Sequence, residues 1–437
     1  MSLLFVALAL CAPVAFAVPT AATPESAPSV VRLAQDDDGA WRLLVDGAPF
    51  YVKGAGGTSR MEELAARGGN SIRTWGPGAT VEETRALLDT AQRLGLRVAM
   101  GIEVARERHG FDYDDPAAVA AQLERIRGEV MAYRDHPALL VWVAGNELNL
   151  ESTNPAVWDA VEGIVRMIHE VDPNHPVMTT LAGFDPALIA EIKARAPSLD
   201  LLGIQLYGDL DTLPAKLAAS DWTGPYVVTE WGPTGHWESP LTQWGAAVED
   251  TATRKAELLV ERYRGTIAAD RRQGLGSYVF LWGQKQERTP TWYGLFLPTG
   301  EATPRVDAMQ YLWTGEWPSN RSPQVGLPTL DGRTATESVT LHPGRTYTAR
   351  IEAIDPDGDP LTFRWRVLEE STATSVGGDP EEVPPDVAVR FTETAPGTVE
   401  LTAPAQPGHY RLFVEAHDGQ GHAAYANVPF RVQGDSP

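Results

Sequence analysis

Eight short apolar runs, separated by longer amphipathic stretches, limit the fold of this chain more than any other feature. The runs are Phe50–Gly54, Ser71–Thr74, Val98–Ile102, Leu139–Ala144, Val177–Thr180, Leu201–Leu206, Tyr226–Thr229 and Ser277–Leu281. They lack the in–out alternation of a sheet with one wet face, so they belong to parallel strands covered on both sides. Helical periodicity fills the gaps, at Val81–Leu94, Pro116–Tyr133, Pro155–Val171 and Ala247–Arg272. Eight such repeats fit a (β/α)8 barrel, a fold of roughly 250 residues. No glycine-rich phosphate loop follows any of the strands, which disfavours a nucleotide-binding sheet. Ahead of the barrel, Asp46-Gly47 between two apolar runs signals a hairpin, placed to cap the barrel's bottom.

Composition divides the rest. Residues 1–17 read as a signal peptide: an apolar run from Leu3 to Val18 ends in Ala15-Phe16-Ala17, a small-x-small cleavage pattern. That implies export, to the periplasm or outside the cell. Residues 18–37 read as a flexible leader, 38–317 as the barrel and 318–322 as a Pro- and Ser-rich linker. From 323 to 437 the chain is rich in Thr, Val, Pro and Gly and loses helical periodicity, which fits a small immunoglobulin- or cadherin-like β-sandwich. The one cysteine, Cys11, lies in the leading apolar run, so no disulfide framework or multi-cysteine metal site is expected. A formal charge of −22 argues against nucleic acid or anionic lipid as the main ligand. No membrane span is expected beyond the N-terminal run.

Side chains at the C-terminal ends of parallel barrel strands converge on one face. Asn146 and Glu147 follow the fourth run, Glu230 the seventh, Arg73 the second, Tyr207 the sixth and Trp282 the eighth. Trp75 and Trp231 lie beside them in sequence, and Glu103 and Glu238 are weaker candidates. Two facing carboxylates are what cleavage of a glycosidic bond needs: one protonates the leaving oxygen, the other attacks the anomeric carbon or activates water. Indole rings stack on the apolar faces of sugars.

The segment Asp135-His136-Pro137-Ala138-Leu139-Leu140-Val141-Trp142-Val143-Ala144-Gly145-Asn146-Glu147 resembles the acid/base segment of the retaining glycoside hydrolase clan built on (β/α)8 barrels (clan A). The match is best to the family 2 β-galactosidase/β-glucuronidase catalytic domain. Val228-Thr229-Glu230-Trp231-Gly232 is similar to that clan's nucleophile segment. Phe50-Tyr51-Val52-Lys53-Gly54 and Asn70-Ser71-Ile72-Arg73 are similar to its first two strands, and Tyr293-Gly294-Leu295 adds a likeness to fungal β-1,3-glucanosyltransferases. The resemblance implies a retaining mechanism with Glu147 as acid/base and Glu230 as nucleophile. It implies Asn146 on the sugar 2-hydroxyl and Tyr207 positioning Glu230, while position at the strand ends puts Arg73, Trp75, Trp231 and Trp282 along the substrate. Gln205 stands where the clan often carries Asn.

His109, His136 and His236 lack the paired spacing of a helical zinc site, so no catalytic metal and no cofactor is expected. His136 reads as a loop histidine supporting the strand after it. Asp355-Pro356-Asp357-Gly358-Asp359 fits either a calcium loop or an Asx turn. Tyr347, Tyr410 and Tyr425 fit glycan binding or strand packing. The expected function is therefore hydrolysis of a β-linked glycan, a β-glucan by resemblance, with the sandwich attaching the enzyme to a surface or glycan. A transglycosidase and a non-catalytic carbohydrate-binding protein are the alternatives.

Overall fold

The computed structural model describes residues 27–434, so the signal-peptide reading lies outside the described residues. Eight parallel strands close into a barrel: β4 (Val52–Gly56), β5 (Ser71–Arg73), β6 (Arg97–Ile102), β7 (Leu139–Asn146), β8 (Val177–Ala182), β9 (Leu201–Gln205), β10 (Tyr226–Trp231) and β11 (Gly274–Val279). Each is followed by one helix: α1 (Met61–Ala66), α2 (Val81–Arg93), α3 (Pro116–Tyr133), α4 (Ala156–Val171), α5 (Pro186–Arg195), α6 (Leu213–Ala218), α7 (Ala252–Arg262) and α8 (Pro304–Thr314). All eight apolar runs overlap these strands. The helix starts are set by local chemistry. Thr80 and Glu83 form a reciprocal cap at α2, and Asp115-Pro116 and Asp185-Pro186 combine a capping carboxylate with a proline in the first turn. The helix expected over Ala247–Arg272 is shorter, because Thr251 caps it at Ala252 and the chain relaxes into a wide π-helical turn at Tyr263–Ile267.

A three-stranded antiparallel sheet precedes the barrel: β1 (Val31–Gln35), β2 (Trp41–Val45) and β3 (Ala48–Phe50). The hairpin forms at Asp46-Gly47 as its sequence requires. The flexible leader expected to Asp37 is a strand over Val31–Gln35. The reason is in the core: Val31, Leu43 and Val45 pack with Val52, Val141, Val143, Met178, Leu201 and Val227 from inside the barrel. This sheet plugs the barrel's N-terminal end, opposite the end where chemistry is expected.

The C-terminal region is a β-sandwich. One sheet has the order β13 (Thr329–Leu330), β15 (Thr346–Arg350), β19 (Thr398–Thr402), β18 (Phe391–Ala395). The other has β14 (Thr340–Leu341), β21 (Ala423–Val432), β20 (Gly408–His417), β17 (Thr362–Glu369). β12 (Gln324–Val325) pairs with β16 (Ala353–Ile354). The segment 318–322 is pinned at several points. Asn320 donates to Asp418, the Arg321 amide to Asp357 and the buried Ser322 amide to Asp307.

The sandwich is fastened to the barrel by a buried polar seam. Lys255 of α7 donates to Glu249, to the carbonyls of Thr291 and Trp292, and to the Tyr425 hydroxyl of β21. Arg305 of α8 reaches the same hydroxyl at 2.7 Å, and Asn427 donates to Glu249 at 2.6 Å. Tyr425 is thus an interdomain tie, and Tyr410 packs in the sandwich core, so neither is free for a glycan. Asp355 forms the Asx turn, accepting from the amides of Asp357 and Asp359. Its carboxylate, with those of Asp359 and Asp418, is the one acidic group of metal-site dimensions among the described residues. No helix among the described residues is long and apolar enough to cross a membrane.

Candidate active site

The C-terminal ends of the strands open on a cavity of about 890 Å³. Glu230 lies on β10 and is buried. Four side chains donate to its carboxylate. Oε1 accepts from Arg73 Nη1 at 2.7 Å, Trp75 Nε1 at 2.9 Å and Gln205 Nε2 at 3.1 Å, while Oε2 accepts from the Tyr207 hydroxyl at 3.0 Å. Arg73 closes β5 and is fully buried. Its fork also donates to the Thr229 carbonyl and to Asn146 Oδ1. Arg73 balances the carboxylate's charge, and the four donors together fix its orientation.

Asn146 ends β7. Its Oδ1 accepts from both Arg73 and Gln205, which leaves the Nδ2 amide to donate into the cavity it lines. Gln205 must present its amide nitrogen to Asn146 and Glu230, both acceptors, so its Oε1 is the free end. That oxygen is buried without a protein partner.

Glu147 follows directly in a left-handed conformation, φ 51°, that turns its side chain from the strand into the cavity. No hydrogen-bond donor among the described residues reaches its carboxyl. Desolvation, then the negative charge of Glu230, push its pKa up from 4.5 to about 8, against the smaller opposing pull of Arg73, Arg106 and Arg108. The two carboxyls therefore differ in kind. One is held by four donors; the other is reached by none, and its surroundings favour the protonated form.

The structure brings Arg73, Trp75, Asn146, Glu147, Tyr207 and Glu230 together, but not Trp231 and Trp282. Trp231 follows Glu230 on the strand, so pleat alternation turns it outward against the helices, where it stacks on Tyr263 at 5.8 Å. Trp282 donates to the Arg60 carbonyl and packs on Phe296 and Trp313. Both are core residues, and Phe280 and Leu281 line the cavity instead. The indole offered to a ligand is Trp237, 60% exposed and set edge-on to Tyr207 at 5.5 Å. Glu103 is exposed and does not line the cavity, whereas Glu238 does, its carboxylate held by the amides of Gly208, Asp209 and Gly235.

His236 is held by the Tyr293 hydroxyl, and burial with the nearby charges of Arg288 and Lys285 lowers its pKa to about 4, so it is neutral. His136 accepts from the Ala138 amide and faces Asp89, a loop support as expected.

Gln205 and Trp237 line the cavity without having been given a role from the sequence. Gln205 was noted only as a departure from Asn, and Trp237 only as one of several tryptophans near the strand ends.

No family model matches the sequence, and no curated protein matches it. Solved structures do share its fold. A β-glucuronidase from Faecalibacterium prausnitzii, 19% identical, aligns with a TM-score of 0.50 over 65% of this chain and 52% of its own. A Bifidobacterium dentium β-glucuronidase complexed with coumarin-3-O-glucuronide gives 19% identity and a TM-score of 0.50 over 66% and 49%. A Ruminococcus gnavus β-glucuronidase in complex with a C6-substituted uronic isofagomine gives 14% and 0.51 over 65% and 52%. The likeness is one of fold, and this chain spans about half the length of these neighbours.

Proposed function

We propose that this protein is a retaining glycoside hydrolase acting on a neutral β-linked glycan. The observation that carries the reading is the contrast inside one cavity between Glu147, which no donor reaches and whose pKa is pushed up, and Glu230, which four donors hold. Glycosidic cleavage by double displacement needs that pair. Three of the four donors to Glu230 sit on Oε1, so Oε2 keeps lone-pair capacity and is the attacking atom, with Tyr207 orienting it. As Oε2 bonds to the anomeric carbon, the bond to the leaving oxygen breaks and the Glu147 proton passes to that oxygen. Glu147, now a carboxylate, takes a proton from water as the water displaces Glu230 and restores both groups. Asn146 Nδ2 offers a donor to a sugar hydroxyl.

The lining favours a neutral sugar. With Glu147 protonated, the carboxylates of Asp209, Glu230, Glu238, Glu287 and Asp379 face it, against Arg106 and Lys285 in the lining and against Arg73 and Arg108, which pair with Glu230 and Asp379. Lys285 is already paired with Glu287 at 2.8 Å. A uronate of the kind held by the structural neighbours would enter a field of its own sign. A β-glucan is the preferred substrate, and export through the leading apolar segment is part of the same reading. The test is a product profile. β-Linked glucans, galactans, mannans and glucuronides are incubated with the wild type and with Glu230→Gln, and product masses are read. Shorter products from a neutral glycan, absent with the variant, support the reading. Products longer than the donor would make the protein a transglycosidase, and turnover confined to glucuronides would overturn the charge argument.

A further inference from the structure

The sandwich does more than lean on the barrel. Between β17 and β18 its chain runs through residues 370–390, and Val376, Gly377, Gly378, Asp379 and Pro380 of that loop line the same cavity as Glu147 and Glu230. The loop is latched at two places on the barrel rim. In the segment after β6, Arg108 grips Asp379 with both terminal nitrogens, at 2.6 and 3.1 Å, and His109 approaches the same carboxylate at 3.2 Å. In the segment after β11, Arg288 holds Glu381 at 2.7 Å through its side chain and 2.7 Å through its amide, and donates to the Ser375 carbonyl. Lys285 donates to the Gly378 carbonyl. The latches are not surface pairings, since the Arg108 side chain is 4% exposed and that of Glu381 is 0% exposed.

The loop's backbone is shaped for this fit. Gly377 and Gly378 are both left-handed, with φ of 58° and 73°. A Cβ at the first would lie 2.6 Å from Leu150 and 2.9 Å from Arg108, and at the second 2.7 Å from Lys285. The left-handed backbone favours glycine at both positions, and a side chain there would displace the ends of Leu150, Arg108 and Lys285. In the closed strand order, β4 and β5 lie between β11 and β6, so a loop tied to both segments bridges that side of the mouth. The far side of the cavity is lined from β8, β9 and β10 by Gly183, Asp209 and Trp237.

We propose that the sandwich loop is a specificity element of the active site. It ends the sugar-binding cleft on the β11-to-β6 side, so a glycan enters from the Trp237 side alone and presents a chain end. A groove for polymer would run through, whereas this site takes oligosaccharides and chain termini. The inference rests on the glycosidase reading and deepens it, and it assigns the second domain to catalysis rather than to attachment.

The test compares three full-length proteins: the wild type, Asp379→Ala, which releases the Arg108 latch, and a loop-shortened form with 376–380 replaced by two glycines. Folding is checked by thermal melting. Each is assayed on an aryl β-glycoside, a short oligosaccharide and the soluble polymer of the same linkage. The wild type is expected to release only short terminal products. Loop shortening should lower kcat/KM on the oligosaccharide at least 10-fold and release longer internal fragments from the polymer. Asp379→Ala should shift the polymer-to-oligosaccharide ratio the same way by at least 3-fold. A folded Asp379→Ala and a folded shortened form that both keep the wild-type ratio within 2-fold would overturn the loop's role alone. A wild type inactive on every glycoside, the aryl substrate included, would overturn the glycosidase reading and the inference with it.

Discussion

Replacing Glu147 by Gln separates the burial of this group from its chemistry. The carboxyl keeps its proton to about pH 8, against 4.5 for an ordinary glutamate. Between those values the unfolded chain has released a proton that the folded protein still holds. The contribution of this group to stability therefore falls as pH rises from 4.5 to about 8, and is level on either side. At about 1.4 kcal/mol per pKa unit, the folded protein loses a few kcal/mol across that window, at most about 5. Glutamine fills nearly the same space and has no proton to lose. Glu147→Gln should match the wild type in stability near pH 4.5 and exceed it by a few kcal/mol at about pH 9. Urea unfolding followed by tryptophan fluorescence at the two pH values measures the difference. A gap that is the same at both would refute the claim that this carboxyl is desolvated beside a like charge. The same proton governs rate. Wild-type kcat/KM should decline above pH 8, and the variant should lose that limb together with most activity on poor leaving groups.

Three further substitutions probe the rest of the site. Tyr207→Phe removes one hydrogen bond to a charged acceptor, worth about 1.5–3 kcal/mol. It should lower kcat/KM about 10- to 100-fold and lower stability by no more than about 3 kcal/mol, and an unchanged rate would place the hydroxyl outside the mechanism. Arg73→Lys cannot bridge Glu230, Asn146 and the Thr229 carbonyl at once, so kcat should fall at least ~100-fold with stability reduced by about 3 kcal/mol, read by steady-state kinetics and denaturant melts. Trp237→Ala should raise KM while leaving stability within about 0.5 kcal/mol. Trp231→Ala should cost about 3–5 kcal/mol in the same melts, and the reverse pattern would invert the assignment of platform and core.

The barrel was legible because doubly buried parallel strands leave continuous apolar runs, and its register follows from them. The polar residues at the ends of the runs then named Arg73, Asn146, Glu147, Tyr207 and Glu230, since strand ends converge whatever the helices do. The tryptophans were not legible in this way. Trp231 and Trp237 look alike in sequence, and only pleat alternation and loop geometry send one to the helix layer and expose the other. Gln205 stood out only as a departure from Asn, although its longer side chain reaches both Asn146 and Glu230. The loop at 376–380 lay furthest from view. It comes from a different domain, more than 140 residues after Glu230, and no local pattern links Gly377-Gly378-Asp379 to a cleft in the barrel.

The most direct test of the central claim is to trap the intermediate. The wild type is incubated with an activated 2-deoxy-2-fluoro-β-glucoside, which slows the second step, and the intact mass and a proteolytic digest are measured. A covalent sugar adduct on the peptide carrying Glu230, absent in Glu230→Gln, is the expected result. Rapid turnover of ordinary β-glucosides with no adduct, or with an adduct on another residue, would contradict the assignment of Glu230 as nucleophile and the double-displacement mechanism built on it.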